Sequence, residues 1–345
     1  MSIVSRARPA IQALEPYSAA VQVADTIRLN ANEAPWASGA DPFRRPLNRY
    51  PEIRPARLRA ALAARFGCAE PNLLVTRGSS EAIDLLVRSF CEAGVDNIVT
   101  MQPSFSMYAH YAQIQGVGHR EVALDADDDY RFDVERALDA CDGQTKLVFV
   151  CSPNNPTGTI VPREAIVQLL HALAGRAAVV VDEAYVEFSN SGSVAGLVDT
   201  HDNLVVLRTL SKALAFAGAR CGAVLGPEEV VSMLDAVQAP YALATPVVEC
   251  VEDALADEWL AEAEAKVAEI IAERERLVAA LANVDAVSYV WPSDANFLLV
   301  RFADVDGLLD AARDDGLLLR YFGGSLEDCV RITVGSPAEN DRLLA

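Results

Sequence analysis

Short apolar runs alternate with amphipathic stretches along the first two thirds of the chain. Residues 146–151 (KLVFVC), 177–182 (AAVVVD) and 204–209 (LVVLRT) are almost continuously apolar, with polar residues at their ends. Such runs are typical of strands buried on both faces of a mainly parallel sheet. Helix-like stretches, for example residues 164–174, lie between them. This alternation predicts an α/β domain in which ligands bind at the carboxyl ends of the strands.

The C-terminal part of the chain has a different pattern. A long charged helix is predicted over residues 257–283, and strand-like runs follow at 296–302, 317–320 and 330–334. We therefore expect a second, smaller α+β domain after the large one. The predicted division is an N-terminal arm that packs on the small domain or on a partner, a large domain and a small domain, at residues 1–35, 36–245 and 246–345.

Composition and charge exclude several classes of protein. The chain has 345 residues, 52% of them hydrophobic, and a formal net charge of −20, which disfavours nucleic acid as a partner. Because it has neither an uninterrupted apolar stretch of membrane-spanning length nor an apolar run behind its N-terminal arginines, we expect no membrane association and no secretory signal. The seven scattered cysteines and four histidines favour a cytoplasmic protein with reduced thiols and no metal site.

Candidate chemistry lies just after the predicted strands. Lys212 follows the run 204–209 within the sequence Thr-Leu-Ser-Lys, and a lysine buried at such a position loses its proton more easily than a surface lysine. A neutral amine of this kind can form an imine with an aldehyde cofactor. Asp182 ends the run 177–182, where a carboxylate can pair with a protonated pyridine nitrogen. An ordinary helix N-cap would also account for this aspartate.

Two further motifs occupy similar positions. Residues 152–158 (SPNNPTG) follow the run 146–151, and Asn155 among them can donate its amide to a phenolate oxygen, although a simple turn would have the same composition. Gly78-Ser79-Ser80-Glu81 opens a clear helix predicted over residues 80–93. Helix N-termini bind phosphate, but a capping box would also account for this motif. The occurrence of all four motifs together, each at a strand–loop–helix junction, favours a cofactor site.

These motifs, with Tyr185, Ser211 and Arg220, resemble those of the fold-type-I aminotransferases that use pyridoxal 5'-phosphate (PLP), and within them the histidinol-phosphate aminotransferase family. The resemblance extends from about Leu14 to the C-terminus. Its matching stretches are residues 29–33, 49–52, 150–158, 182–188, 208–222, 239–241 and 331–335. It implies a homodimer with shared active sites, small-molecule substrates, and transamination of L-histidinol phosphate with 2-oxoglutarate in histidine biosynthesis.

The resemblance also implies a role for individual residues. Lys212 would be the Schiff-base lysine and the acid/base, Asp182 would pair with the pyridine nitrogen, and Tyr185 with Asn155 would contact the ring oxygen O3′. The cofactor phosphate would be held by Ser79, Ser80, Ser211, Arg220 and the other subunit's Tyr50, and the cofactor ring would stack on Phe105. The substrate phosphate would be held by Tyr17, Arg320 and Arg331. Asn32, Tyr50 and Asn155 would also contact the substrate.

This sequence departs from the family pattern at three places, none of which removes a chemical role. It has Gly-Ser-Ser-Glu where Gly-Ala-Asp-Glu is frequent, Phe105 where tyrosine is common, and Ala34-Pro35 where Asn-Pro is usual. Three other functions stay open because fold alone does not decide function. They are an amino-acid phosphate decarboxylase, a general aromatic or branched-chain aminotransferase, and a PLP-binding regulator without turnover, which the acidic charge disfavours.

Overall fold

The computed structural model describes residues 2–17, Ala20, Gln22 and 26–345. Met1, residues 18–19, Val21 and residues 23–25 of the predicted N-terminal arm lie outside the described residues. The helices are α1 (Pro9–Gln12), α2 (Ala56–Phe66), α3 (Ser79–Phe90), α4 (Met107–Gln115), α5 (Val134–Asp139), α6 (Arg163–Ala172), α7 (Glu228–Val237), α8 (Thr245–Ala254), α9 (Asp257–Leu281), α10 (Val305–Asp314) and α11 (Pro337–Leu344). The strands are β1 (Leu73–Thr76), β2 (Asn97–Gln102), β3 (Gly118–Ala123), β4 (Thr145–Cys151), β5 (Ala178–Asp182), β6 (Leu204–Thr209), β7 (Gly222–Leu225), β8 (Val287–Val290), β9 (Phe297–Phe302), β10 (Arg320–Gly323) and β11 (Leu326–Thr333).

The strands form a large and a small sheet. The large sheet has the order β1-β7-β6-β5-β4-β2-β3, in which β7 is antiparallel to both of its neighbours and the other pairs are parallel. The small sheet has the order β10-β11-β9-β8 and is antiparallel throughout. The predicted α/β class with an additional α+β region is confirmed. The predicted domain boundaries stay a prediction, and Val251 of α8 packs in the core beside the large sheet.

Alternate residues of the central strands supply two separate hydrophobic cores. Val179 and Val181 of β5 face one core with helices α2, α5, α6 and α8, whereas Ala178 and Val180 face the other with α3, α4 and α7. Because both faces are covered, these strands are apolar at nearly every position, which is the pattern that predicted them. No helix in the described part of the chain is long and apolar enough to cross a membrane.

One predicted strand was wrong, and its correction changes the geometry of the site. Residues 317–320 were expected to be a strand ending at Arg320, but Leu318 is 92% exposed and the strand β10 begins at Arg320. Gly323 and Gly324 both have positive φ and turn the chain into β11. Arg320 therefore lies directly opposite Arg331 in an antiparallel hairpin, and the two arginines do not end and begin successive strands.

Candidate active site

A cavity of about 640 Å³ opens at the carboxyl ends of the parallel strands, where an α/β sheet binds its ligands. Loops that follow β1, β2, β4, β5 and β6 line it, together with side chains of the β10–β11 hairpin. Its lining residues include Ser79, Ser80, Ser104, Phe105, Cys151, Asn155, Asp182, Tyr185, Thr209, Ser211, Lys212, Arg220, Arg320, Phe322 and Arg331. Most of the residues predicted for the site are thus brought into one space.

One end of the cavity is suited to an anion. Helix α3 begins at Ser79, and its N-cap Gly78 has φ 77° and provides no side-chain cap, so backbone N–H groups of the first turn are left for a ligand. A Cβ atom at Gly78 would lie 2.9 Å from the Arg220 guanidinium, which shows how closely the arginine approaches the backbone. Arg220 also donates to the Ser211 hydroxyl at 3.4 Å. Main-chain and side-chain donors therefore converge here.

Glu81 holds this turn from behind. Its carboxylate accepts hydrogen bonds from the backbone N–H of Arg77 at 2.7 Å and from Gln238 at 3.1 Å, and it pairs with the Arg77 guanidinium. The capping box considered from the sequence, with a serine hydroxyl bonded to the third turn residue, is not what the structure has. Both Ser79 and Ser80 consequently form part of the cavity lining.

Asp182 lines the cavity at the end of β5 and is 2% exposed. Its Oδ2 accepts a hydrogen bond of 2.8 Å from the Tyr108 hydroxyl, and its Oδ1 accepts one of 3.2 Å from the Ala184 N–H. Burial raises the pKa of Asp182 to about 6, although the two hydrogen bonds and the nearby Lys212 act in the opposite direction. The carboxylate is thus an incompletely compensated charge that would be stabilised by a cation in the cavity.

Lys212 reaches the same space from the loop after β6. Burial lowers the pKa of its ammonium, and the positive charges of Arg331 and Arg220 lower it further, while Asp182 raises it. The Nζ atom lies 5.4 Å from the ring centroid of Tyr185. A lysine in such surroundings has a larger neutral fraction than a surface lysine, and the neutral amine is the nucleophilic form.

The β10–β11 hairpin brings the guanidinium groups of Arg320 and Arg331 to the cavity. Arg331 donates through Nη1 to the Oδ1 of the buried Asn155, and its own Nε is buried without a hydrogen-bond partner. Among the described residues, neither Arg331 nor Arg320 forms an ion pair with a carboxylate. Burial lowers the pKa of Arg331, and the charge of Arg320 lowers it further. Two cations and an unsatisfied donor in one cavity form a site for an anion.

Three of the predicted residues do not line this cavity in the single chain. Tyr50 stacks on Tyr241 with ring centroids 4.6 Å apart and lies in a separate surface cleft with Asn32. Tyr17 is 58% exposed. Their roles stay predictions, and that of Tyr50 was expected to be exerted across a dimer interface. No group of three or more His, Cys, Asp or Glu side chains within the described ranges is arranged to hold a metal ion.

Two residues that the sequence reasoning missed contribute to the site. Tyr108 of α4 is fully buried, stacks on Phe149 at 4.7 Å and bonds Asp182; Phe322 lies in the lining beside both arginines. A signal for Tyr108 did exist, because a tyrosine on a buried helix face requires a hydrogen-bond partner. Phe322 gave no such signal, since its place depends on the hairpin turn that was not predicted.

The chain matches the model of the family described as aminotransferase class I and II over residues 30–345, and it belongs to this PLP-dependent family. It is 44% identical over 349 residues to a histidinol-phosphate aminotransferase of Stenotrophomonas maltophilia, covering 99% of this chain and 96% of the relative. A relative of the same name from Xylella fastidiosa is 45% identical over 351 residues, with coverage of 100% and 96%. The histidinol-phosphate aminotransferase of Sinorhizobium meliloti, solved in complex with pyridoxal-5'-phosphate, is 27% identical with a TM-score of 0.77 over 86% of this chain and 81% of that one.

The residues present fit PLP as the cofactor. The donors at Gly78, Ser79 and Arg220 match a phosphate, and the buried charge of Asp182 matches a protonated ring nitrogen. Lys212 lies in the same cavity, and its lowered pKa favours the neutral amine that reacts with an aldehyde.

Proposed function

We propose that this protein transfers an amino group between L-histidinol phosphate and 2-oxoglutarate, yielding imidazole-acetol phosphate and glutamate in histidine biosynthesis. The observation that carries the proposal is the pair Arg320 and Arg331, which forms no ion pair with any described carboxylate and lies in the same cavity as Lys212 and Asp182. The amine substrate has a phosphate ester where ordinary amino acids have a carboxylate, so its site requires an additional concentration of positive charge. The names of the relatives support the same substrate.

The cofactor would be held at three points. The N-terminus of α3, Ser211 and Arg220 would bind its phosphate, Asn155 and Tyr185 would contact the ring oxygen, and Phe105 would pack on the ring face. Asp182 would keep a proton on the ring nitrogen because its buried carboxylate is stabilised by that positive charge. When bound, PLP supplies an aldehyde for amine exchange and a ring that withdraws electrons from the reacting carbon.

Lys212 would perform the proton transfer. Its Nζ would hold the cofactor through the aldehyde and, when free, would serve as the base and acid that moves the proton of the reacting substrate carbon. This role requires a neutral amine, and burial together with the positive charges of Arg331 and Arg220 lowers the pKa of Lys212 in that direction. Arg320 and Arg331 would meanwhile fix the phosphate end, so that the reacting carbon is held near Nζ.

We further propose that the enzyme is a cytoplasmic homodimer in which Tyr50 acts in the partner's site, with Asn32 in contact with the substrate and Tyr17 on the substrate phosphate. The exposed aromatic side chains Trp36, Phe43 and Tyr50 support an association surface, since each is about half exposed or more in the single chain. Two-fold symmetry, the commonest arrangement of homo-oligomers, would create two equivalent sites.

The reaction is tested by supplying the purified holoenzyme with histidinol phosphate and 2-oxoglutarate and measuring glutamate, beside phenylalanine and histidine as competing amines. We expect glutamate to form in step with loss of the phosphorylated amine. Release of carbon dioxide would favour the decarboxylase, and preference for phenylalanine would favour an aromatic aminotransferase.

The shared site is tested by mixing subunits. Tyr50→Ala and Lys212→Ala homodimers should each be inactive, whereas their mixture should regain part of the activity because heterodimers contain one intact site. Full activity of a monomer in dilute solution would refute the shared-site arrangement. Mixtures of two independent Lys212→Ala preparations serve as the control and should stay inactive.

A further inference from the structure

The β10–β11 hairpin brings two like charges together. Arg320 and Arg331 are direct partners in its antiparallel register, and such pairs of like charge oppose the association of the strands. A carboxylate between them would relieve the repulsion, but none of the described carboxylates forms an ion pair with either guanidinium. Another group must therefore hold the pair in place.

An aromatic ring occupies the position in which an acid would be expected. The Cζ atom of Arg320 lies 5.0 Å from the ring centroid of Phe322, and that of Arg331 lies 5.4 Å from the same centroid. Arg331 is also 5.2 Å from the ring of Phe297, which packs edge-on against Tyr185. Both distances to Phe322 are within the range of cation–π attraction.

A ring and a carboxylate differ in what they leave for a ligand. A carboxylate neutralises the cation that it holds, and an incoming anion must then compete with it. The quadrupole of an aromatic ring attracts the cation but carries no net charge, so the full positive charge remains available. The buried Nε of Arg331, which has no hydrogen-bond partner among the described residues, is consistent with a donor set that is completed by a ligand.

We propose that Phe322 determines specificity for a phosphorylated amine, because its ring holds Arg320 and Arg331 together as a pair that only the dianionic end of the substrate neutralises. This inference rests on the proposed function and names a residue in its substrate site. The ring is 40% exposed and lines the cavity, so it is adjacent to the ligand as well as to both arginines.

The test compares Phe322→Leu with Phe322→Tyr. Leucine retains apolar bulk without a ring, whereas tyrosine retains the ring. Tyr321→Leu is the matched control, because Tyr321 is an aromatic residue next to Phe322 that is absent from the cavity lining. For each holoenzyme, kcat and KM are measured with histidinol phosphate and with unphosphorylated histidinol, and the shift of Tm caused by inorganic phosphate is recorded.

We expect Phe322→Leu to lower kcat/KM for histidinol phosphate about tenfold, equivalent to about 1.4 kcal/mol, mainly through KM. It should change kcat/KM for histidinol less than about twofold and should reduce the phosphate-induced shift of Tm. Phe322→Tyr and Tyr321→Leu should resemble the wild type. Equal losses with both substrates, or a tyrosine variant as impaired as the leucine variant, would overturn the role of the ring. If the wild type does not use histidinol phosphate, the proposed function is refuted instead. The role of Phe322 is then decided by whether Phe322→Leu reduces the phosphate-induced shift of Tm.

Discussion

Replacing Asp182 by asparagine should stabilise the cofactor-free protein. Burial raises the pKa of this carboxyl group from the ordinary aspartate range to about 6. At about 1.36 kcal/mol for each pKa unit, a pKa of about 6 in place of the ordinary aspartate value means that ionised Asp182 destabilises the fold by about 3 kcal/mol at neutral pH. Asparagine removes this charge and still accepts from Tyr108, but its amide faces the Ala184 N–H, which offsets about 1 kcal/mol of the gain. The expected net gain is about 2 kcal/mol.

The pH dependence follows from the sign of the shift. A carboxyl group whose pKa is raised by folding binds its proton more tightly in the native state than in the unfolded state. The free energy of unfolding of the wild type therefore falls as pH rises from about 4 to about 6 and stays lowered at higher pH. Asparagine does not titrate. The difference in free energy of unfolding between variant and wild type should therefore grow by about 1 to 1.5 kcal/mol between pH 5 and pH 8.

Urea denaturation of the two cofactor-free proteins at both pH values measures these differences, with the exposed Asp202→Asn as a control that should change neither. With PLP bound, the wild type should be more stable than the asparagine variant, because the variant lacks the anion that holds the ring proton. Transamination by the variant should be severely impaired. An asparagine variant that is less stable than the wild type at pH 8, or a difference that is independent of pH, would refute the assignment of Asp182 as an uncompensated charge.

Four further substitutions probe other parts of the site. Lys212→Ala should abolish both the visible absorbance of the lysine-bound cofactor and transamination, and normal turnover would exclude the lysine. Arg331→Ala and Arg320→Ala should each raise the barrier for histidinol phosphate by about 2–4 kcal/mol while PLP stays bound. Wild-type kcat/KM in either variant would contradict the proposed binding of the substrate phosphate by these arginines. Tyr108→Phe removes a hydrogen bond that lowers the pKa of Asp182, so the Kd for PLP, measured by absorbance titration, should rise several-fold near pH 6 and little at pH 9. An equal change at both pH values would indicate a purely structural tyrosine.

The sequence predicted the large sheet and most of the cavity because both depend on local signals. Apolar runs buried on both faces are recognisable without tertiary information, and strand ends of a parallel sheet necessarily meet at one edge. Residues such as Asp182 and Lys212 were therefore placed together correctly. The strand expected at residues 317–320 was wrong because residues 317–319 are apolar in sequence, although Leu318 is highly exposed in the structure. The partner of Tyr108 belongs to a strand distant in sequence, so no local pattern contained it.

The antiparallel strand β7 has a consequence for how this site can change over evolution. Reversal of the chain at β7 places Lys212 and Arg220 on the single connection between β6 and β7. The groups proposed to bind the aldehyde and the phosphate of one small molecule are thus separated by a fixed number of residues along the chain. An insertion or deletion between them would move one anchor relative to the other. We therefore expect substitutions to be accepted in this connection far more readily than changes of its length, and transfer of the site to another scaffold would have to treat the connection as one unit.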